Sequence, residues 1–486
     1  MSENRPCAVL LLASLMLTLA ACSTTGATQK PAAKSSAEVP SSASLSATPA
    51  TAPYPSTYRA APSQPTLLRG ATLLIGNGER IDDADLLLQD GKIAAIGKSL
   101  AAPQGARIVE ARGKWVTPGL IDVHSHLGVY PSPSVEAHSD GNEATAPSTA
   151  QVWSEHSIWP QDPGFEAALE GGITTLHVLP GSANLFGGRS VTVKNVSAVT
   201  YQAMKFPDAP HGLKMACGEN PKRVYGNRRQ LPSTRMGNVA GWRAQWIEAQ
   251  EYQRDWRQYQ ARAAAGAKDL RPPKRDLRLE TLAGVLRGEI LIQHHCYRAD
   301  EMAIVLDMAK EFGYRVTAFH HATEAYKISN LLADNGVCAA VWADWWGFKM
   351  ESYDAIPENM ILVDAAPKGC AVVHSDSAEG IQRLNQEAAK GMAFARRMGI
   401  DIKPEHAIRW LTQNAARTIG LETRIGTLEP GKAADVVVWN GNPFSVYALA
   451  DRVYIDGALR FDRNSPRALP ESDLLLGQPA ATGVIR

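Results

Sequence analysis

The chain has 486 residues, 45% hydrophobic and 20% charged, which is an ordinary globular composition with enough apolar material for a large core. Its formal net charge of +1 argues against a nucleic-acid-binding surface and against an acidic partner. Length alone predicts about three domains of roughly 150 residues, although α/β barrels exceed that size as single domains.

Residues 1–22 resemble the signal peptide of a bacterial lipoprotein. Arg5 precedes the apolar run CAVLLLASLMLTLAA, which is too short for a comfortable membrane span. The run ends in LAAC, which resembles a lipobox, where the signal is removed and the cysteine becomes the lipidated N-terminus. A plain secretory signal cut near Ala21 is the alternative. Ser23 follows the cysteine, which favours the outer membrane by resemblance.

Residues 23–64 are predicted to be a disordered tether, because they are rich in Ser, Ala, Thr and Pro and almost free of large apolar side chains. We therefore expect a periplasmic protein of the cell envelope that meets the membrane only through a lipid at Cys22. The compartment is oxidising, so disulfides are allowed, but the cysteines of the folded region lack CxxC spacing and are expected to be buried free thiols. They are Cys217, Cys296, Cys338 and Cys370.

Both ends of the folded region carry the pattern of a β-domain. In residues 65–118, short β-rich runs alternate with Asn-Gly and Asp-Gly turns, which indicates hairpins. Residues 425–463 show the same pattern of short β-rich runs and turns. Neither end is long enough to be stable alone, so the two are predicted to form one composite β-sandwich.

Residues 119–424 alternate predicted strands and helices. In RADEMAIVLDMAKEFGYRVTAF, the apolar residues keep helical spacing, Gly313 ends the helix, and a strand follows. Such alternation over about 300 residues predicts a parallel α/β barrel in preference to an open sheet.

One insertion in this region is a polar helix with three tryptophans at helical spacing. They are Trp242, Trp246 and Trp256. Stripes of this kind usually pack against a core, so the helix is predicted to lie on the barrel rather than to bind a cofactor.

Histidine or aspartate stands at the end of four predicted strands. The pairs are His124 and His126, His294 and His295, His320 and His321, and His374 and Asp376. In a barrel these strand ends meet at one face, where active sites form. Because residues two apart on a strand share a face, the first pair projects together, and neutral imidazole is the commonest metal ligand. The pattern therefore predicts a metal site.

Several motifs together resemble the amidohydrolase superfamily. They are TPGLIDVHSHLG, EGGITTLHVLPGSANLFGGR, HSDS and LTQNAARTIGLETRIGTLEPGKAADVVVWNGNPF. Within that superfamily they are similar to the branch of imidazolonepropionase-like enzymes and metal-dependent Xaa-Pro and Xaa-Arg dipeptidases. The resemblance covers residues 66–463 and implies a distorted TIM barrel, a β-sandwich and one or two divalent metal ions, with zinc expected.

The resemblance also implies the metal ligands. The positions that match are His124, His126, His295, His321 and Asp376. Their neighbours His294 and His320 are predicted to face the opposite side by strand alternation and to have structural roles.

The bridging ligand of binuclear relatives is less well defined here. Lys214 fits the carboxylated lysine of prolidase-like members, and Glu219 in the following loop is the alternative. A lysine at a strand end is otherwise usually a solvated surface charge. If neither residue bridges, the site is mononuclear.

The implied reaction is hydrolysis of an amide, cyclic amide or dipeptide C–N bond of a small molecule by a metal-activated hydroxide. A divalent metal lowers the pKa of water from 15.7 towards ~7. Asp376 is expected to take the proton of water and pass it to the departing nitrogen. The metal, His295 or His321 is expected to polarise the carbonyl.

Two other functions stay open at this point. One is a metal-dependent deaminase, and the other is a non-catalytic tethered binding protein. A small-molecule substrate is expected, and a homo-oligomer stays open. Basic loop residues that can hold a substrate carboxylate, or simply face solvent, are Lys222, Arg223, Arg228 and Arg235, with Tyr225 among them.

Overall fold

A computed structural model describes residues 54–345 and 347–465, in which a barrel adjoins a second sheet. The predicted signal peptide, Cys22 and residues 23–53 of the predicted tether lie outside the described residues. In the described part of the chain, no helix combines the length and the apolar character that a membrane span requires.

The first five strands come before the barrel. They are β1 (Thr66–Leu74), β2 (Arg80–Gln89), β3 (Lys92–Gly97), β4 (Arg107–Glu110) and β5 (Trp115–Pro118). The first half of β1 pairs in parallel with β4 and its second half with β5, while β2 pairs antiparallel on the other side.

The barrel follows at once, because Gly119 separates β5 from the first barrel strand. Its strands are β6 (Leu120–Ser125), β7 (Ile173–Val178), β8 (Phe186–Lys194), β9 (Gly212–Ala216), β10 (Leu291–Cys296), β11 (Val316–His321), β12 (Cys338–Val341) and β13 (Ala371–Val373). Strand β8 is antiparallel to both neighbours, and the other pairings are parallel. This antiparallel strand makes the barrel a distorted form of the TIM fold, so the predicted fold class is confirmed.

The last three strands return to the first sheet. They are β14 (Val436–Trp439), β15 (Ala450–Ile455) and β16 (Ala458–Asp462). Strand β14 pairs with β5, so the two ends of the folded region share one sheet, as the turn-rich patterns at both ends predict. Its own apolar core includes Leu73, Leu86, Val116 and Val436.

Helices connect the barrel strands and pack against them. In chain order they are α1 (Pro163–Glu170), α2 (Tyr201–Met204), α3 (Glu219–Gly226), α4 (Arg235–Ala264), α5 (Leu277–Leu286), α6 (Ala299–Phe312), α7 (Ser329–Asp334), α8 (Asn359–Asp364), α9 (Leu384–Arg397), α10 (Pro404–Ala407) and α11 (Gln413–Thr418). Helix α6 ends at Gly313, whose φ of 76° is the left-handed conformation that glycine adopts without a steric penalty. This is the stop that the sequence predicts.

Helix α4 is the predicted tryptophan-bearing insertion. Trp242, Trp246 and Trp256 are buried, and the Trp246 ring stacks on that of Tyr314 with the centroids 4.4 Å apart. The prediction that these tryptophans pack against the fold is confirmed.

Residues 54–64, at the end of the predicted tether, contact both parts of the fold. The Thr57 amide donates to the Gln202 carbonyl at 3.0 Å, and the Tyr58 hydroxyl donates to the Asp456 carboxylate at 2.6 Å. The Tyr58 side chain is buried, so the prediction of a disordered tether is wrong for residues 54–64. The tether sequence is poor in large apolar residues, but these last residues include two tyrosines.

The expectation of free thiols is wrong, because the structure pairs Cys217 with Cys296 and Cys338 with Cys370. The reason is strand register. Residue pairing between β9 and β10 places the ends of these two strands side by side, and β12 lies next to β13 in the same way. Cysteines 79 and 32 residues apart in sequence therefore become neighbours.

Candidate metal centre

The ends of the first and last barrel strands bring three predicted ligands together. The Asp376 amide donates to the His124 carbonyl at 3.0 Å and so joins the chain after β13 to β6. His126 Nε2 lies 3.1 Å from Asp376 Oδ1, and His124 Nε2 lies 3.5 Å from the same oxygen. One atom from each of the three residues falls within 4.8 Å of the others, a spacing that suits a metal ion.

The predicted ligands of β10 and β11 lie beside this group. The His321 ring is 4.9 Å from that of His124, and the His295 ring is 4.5 Å from that of His321. His321 Nδ1 lies 3.9 Å from Asp376 Oδ2. The structure thus gathers five predicted ligands at one end of the barrel, while their role in binding metal stays a prediction.

Lys214 also belongs to this cluster. It lies in β9 with 1% of its surface exposed, and its Nζ is 3.3 Å from His124 Nε2. Burial lowers the pKa of Lys214 to about 8. Loss of its proton to give the neutral amine therefore costs less free energy than for a solvated lysine. Glu219 begins α3 and contacts Lys349 at 3.7 Å instead. The structure therefore brings Lys214, and not Glu219, to the histidines.

The orientation predicted for His320 is wrong. Strand alternation would turn His320 away from the site, yet its Nδ1 lies 2.9 Å from His124 Nδ1. The backbone explains this, because His321 has a φ of 70° and leaves the regular strand geometry, so both neighbours reach the barrel interior. His294 does face outwards and packs edge-on against Trp242 of α4 at 5.4 Å.

Hydrogen bonds fix the tautomer of His124 through a chain of side chains. Gln293 Nε2 donates to the Thr418 carbonyl at 2.8 Å, so Gln293 Oε1 accepts from His320 Nε2 at 2.7 Å. A neutral His320 then accepts at Nδ1 from His124 Nδ1. The lone pair of His124 is therefore on Nε2, the atom that faces Asp376 and Lys214.

A single hydrogen bond fixes the tautomer of His126. Its Nδ1 lies 2.9 Å from the Leu179 carbonyl oxygen, which can only accept. In a neutral His126 the lone pair is therefore on Nε2, 3.1 Å from the Asp376 carboxylate. Lone pairs from two imidazoles and a carboxylate thus point at one region, beside Lys214 Nζ, which lies 3.3 Å from His124 Nε2. This arrangement fits a divalent metal ion.

Electrostatics favour neutral histidines beside an ionised carboxylate. Burial lowers the pKa of His124, His295 and His321, so these rings keep a free lone pair at neutral pH. Burial opposes ionisation of Asp376, but nearby positive charge, including that of Lys214, outweighs it and holds the pKa of that carboxyl below its usual value. These are the protonation states in which the groups bind metal.

Two residues of the site have strained backbones. His321 has a φ of 70° and Asp376 a φ of 50°, in the left-handed region that side chains other than glycine enter at a cost of about 1–3 kcal/mol. Such strain persists where surrounding contacts hold the backbone in that conformation. Here the Asp376 amide donates a hydrogen bond to the His124 carbonyl. Both side chains are consequently aimed at the histidine cluster.

Access to the centre is one-sided. The side chains of Asp376 and His126 are 25% and 19% exposed, whereas those of His124 and His321 are 1% and 2% exposed. Water and substrate therefore reach the cluster past Asp376 and His126. His124 and His321 lie deeper in the barrel.

Sequence reasoning missed several residues around this centre. His374 ends a predicted strand but had no assigned role, and its Nε2 lies 3.1 Å from His321 Nδ1. Trp342 stacks on His321 with the ring centroids 4.5 Å apart. Asn220 lies in the first turn of α3 and Lys349 in the loop after β12, and no periodic pattern marks either residue. Only the position of His374 at a strand end was a usable signal.

Several of the residues considered as anchors for a substrate carboxylate already bond to other groups of the protein. Arg235 contacts Glu301 at 3.0 Å and Glu351 at 2.6 Å. Arg228 bonds to the Ala144 carbonyl, and Arg223 is exposed. Tyr225 is buried and donates to the Ala146 carbonyl at 2.7 Å, while Lys222 is half-buried at the start of α3.

Comparison with known proteins gives consistent results. Residues 287–462 match the model of the amidohydrolase family. The chain is 31% identical over 462 residues to amidohydrolase tasK of Hapsidospora irregularis; the match covers 87% of this chain and 46% of that protein, so the chain spans about half the length of that relative. It is 26% identical over 391 residues to imidazolonepropionase of Shewanella halifaxensis, covering 74% of this chain and 87% of that protein.

One solved structure is similar in both sequence and fold. An amidohydrolase from Thermotoga maritima MSB8 is 35% identical, with a TM-score of 0.74. The match covers 82% of this chain and the whole of that chain.

Proposed function

This chain belongs to the amidohydrolase family, and we propose that it is a metal-dependent hydrolase that cleaves a C–N bond in an amide, a cyclic amide or a dipeptide. The observation that carries the proposal is the convergence of lone pairs. His124 Nε2, His126 Nε2 and Asp376 Oδ1 face one another within a cluster whose hydrogen bonds leave no proton for those nitrogens. A divalent cation bound between these atoms would accept all of these lone pairs.

The residues that would hold one or two divalent ions are those of the cluster. They are His124, His126, Lys214, His295, His321 and Asp376. Histidine nitrogen with carboxylate oxygen suits zinc, which we propose as the resident ion. When bound, such an ion supplies Lewis acidity, which acidifies water and polarises a carbonyl oxygen.

Asp376 is the group that moves the proton. Its Oδ1 faces His124 and His126, so Oδ2 is the oxygen that can take a proton from attacking water and return it to the leaving nitrogen. Its exposure on the open side of the cluster lets both water and substrate reach that oxygen. The hydrogen bond from the Asp376 amide to the His124 carbonyl holds this residue in place during both transfers.

His321 and His295 would orient the substrate carbonyl. His321 is fixed by His374 on one side and by the stacked Trp342 ring on the other. His295 approaches Asn220, whose Nδ2 lies 3.4 Å from His295 Nε2. Neutral rings held in this way can donate to or polarise a carbonyl without a change in geometry.

A substrate panel tests the proposal. The purified full chain, supplied with zinc, is assayed against dipeptides, N-acyl amino acids and cyclic amides, with an amidine-containing nucleoside base as the deaminase substrate. Release of an amine or ring opening without ammonia is expected. Ammonia release from the amidine alone would replace the proposal with a deaminase. If zinc binds but no substrate of the panel turns over, the catalytic proposal fails.

We also propose that the protein is a lipid-anchored periplasmic protein. The LAAC motif supports this, and so do the two disulfides, which form in oxidising compartments. Replacing Cys22 with Ala should leave an unprocessed or soluble protein, because acyl chains supply the membrane affinity. Membrane fractionation measures the effect, with Cys7→Ala as the matched control that should stay attached. A Cys22→Ala protein that has lost its signal peptide and is attached as firmly as wild type would contradict the lipobox.

A further inference from the structure

Lys349 lies beside the candidate metal centre, although it comes from the loop that follows β12. Its Nζ is 3.2 Å from Asn220 Oδ1, and Asn220 Nδ2 is 3.4 Å from His295 Nε2. One amide side chain therefore separates this ammonium group from a predicted metal ligand. Lys214 contacts His124 directly from strand β9, whereas Lys349 approaches the cluster from a loop.

The Lys349 ammonium group has a more distant carboxylate partner than Arg235 has. Its carboxylate partner Glu219 lies at 3.7 Å, whereas Arg235 holds two carboxylates at 3.0 and 2.6 Å. The Lys349 side chain is 17% exposed, so an entering anion can reach it while most of the group is shielded from water. Charge-assisted hydrogen bonds are strongest in such surroundings.

Aromatic rings flank the same ammonium group. Lys349 Nζ lies 4.3 Å from the ring centroid of Tyr297 and 5.5 Å from that of Phe348. Phe348 is 54% exposed and lies 5.9 Å from Trp342, on which Trp345, 39% exposed, stacks. Exposed aromatic surface at the mouth of a site offers contact area to an apolar ligand group.

We propose that Lys349, Phe348 and Trp345 form a specificity subsite for a substrate that carries a free carboxylate and an aromatic or large apolar side chain. The substrates would be dipeptides or N-acyl amino acids whose C-terminal residue is of this kind. In such compounds the amide nitrogen and the carboxylate are attached to the same carbon atom, which suits a site where Lys349 and His295 contact the same Asn220 amide. This inference rests on the proposed hydrolase function.

The test compares an acid with its amide. L-alanyl-L-phenylalanine and its C-terminal amide are assayed with the zinc-supplied full chain. Wild type should prefer the acid, and Lys349→Met should raise KM for the acid about 10–100-fold, the worth of a hydrogen bond to a charged group, without changing KM for the amide. Lys327→Met is the matched control, because Lys327 pairs with Asp354 at 2.7 Å and should leave both substrates unaffected.

A calorimetric titration separates the subsite from the chemistry. 3-Phenylpropionate should bind wild type more tightly than 3-phenylpropionamide, and Lys349→Met should remove the difference. If neither peptide is cleaved but binding of the carboxylate still depends on Lys349, the subsite stands and the hydrolase proposal loses its support. If peptides are cleaved with equal KM for acid and amide in wild type and Lys349→Met, the subsite is wrong and the hydrolase stands. If neither cleavage nor Lys349-dependent binding occurs, both are wrong.

Discussion

Replacing both His124 and His126 with Ala should abolish bound metal and hydrolysis together while the barrel stays folded. These two residues supply two of the three convergent lone pairs, and each ligand lost leaves an underfilled coordination shell. The barrel should survive, because its core is the apolar material between strands and helices, such as Leu176, Phe319 and Val373, and not the metal. Elemental analysis, circular dichroism and amide hydrolysis measure the three properties on one preparation.

The matched control is His156→Ala with His406→Ala. These histidines are 44% and 39% exposed and lie outside the cluster, so metal content and activity should be those of wild type. Stoichiometric metal and normal activity after the loss of His124 and His126 would rule out the assigned centre. Loss of the helical signal in the same variant would instead show that the histidines hold the fold together.

Asp376→Asn should lower turnover about 10²–10⁴-fold, the usual contribution of general acid–base catalysis, while the fold and much of the metal remain. An amide keeps the shape of the carboxyl group but cannot accept the proton of water at Oδ2. The rate is compared with wild type at equal metal content per chain, on any substrate that the panel identifies.

Asp354→Asn serves as the control for this change, since Asp354 is 52% exposed and pairs with Lys327. Near-wild-type turnover by Asp376→Asn would show that another group carries the proton. A loss of activity that follows metal content alone would make Asp376 a ligand without a role in proton transfer.

The barrel and the location of its site could be predicted because both leave local signals. The helix that ends at Gly313 and the strand after it follow from spacing and one glycine. Parallel strands end at one face of a barrel, so polar residues at strand ends meet there whatever their separation in sequence. This is why His124 and Asp376, 252 positions apart, could be assigned to one place.

Features that depend on irregular backbone or on neighbouring strands could not be predicted in this way. Strand alternation fails for His320 because the positive φ of His321 has no signature in the sequence. The pairing of Cys338 with Cys370 needs the strand order, which composition does not give. Lys349 lies in a loop and Asn220 in the first turn of α3, and packing rather than a sequence period brings the two side chains together.

The central claim, that the histidine cluster is a catalytic metal centre, is tested most directly by removing and restoring the ion in the wild-type protein. The protein is dialysed against a chelator, its metal content is measured by elemental analysis, and hydrolysis of the best panel substrate is followed before chelation, after chelation and after adding zinc. We expect one or two ions per chain at the start, no hydrolysis once they are removed, and recovery when zinc is restored. An ion-free protein that cleaves the same amide at the original rate would contradict the claim.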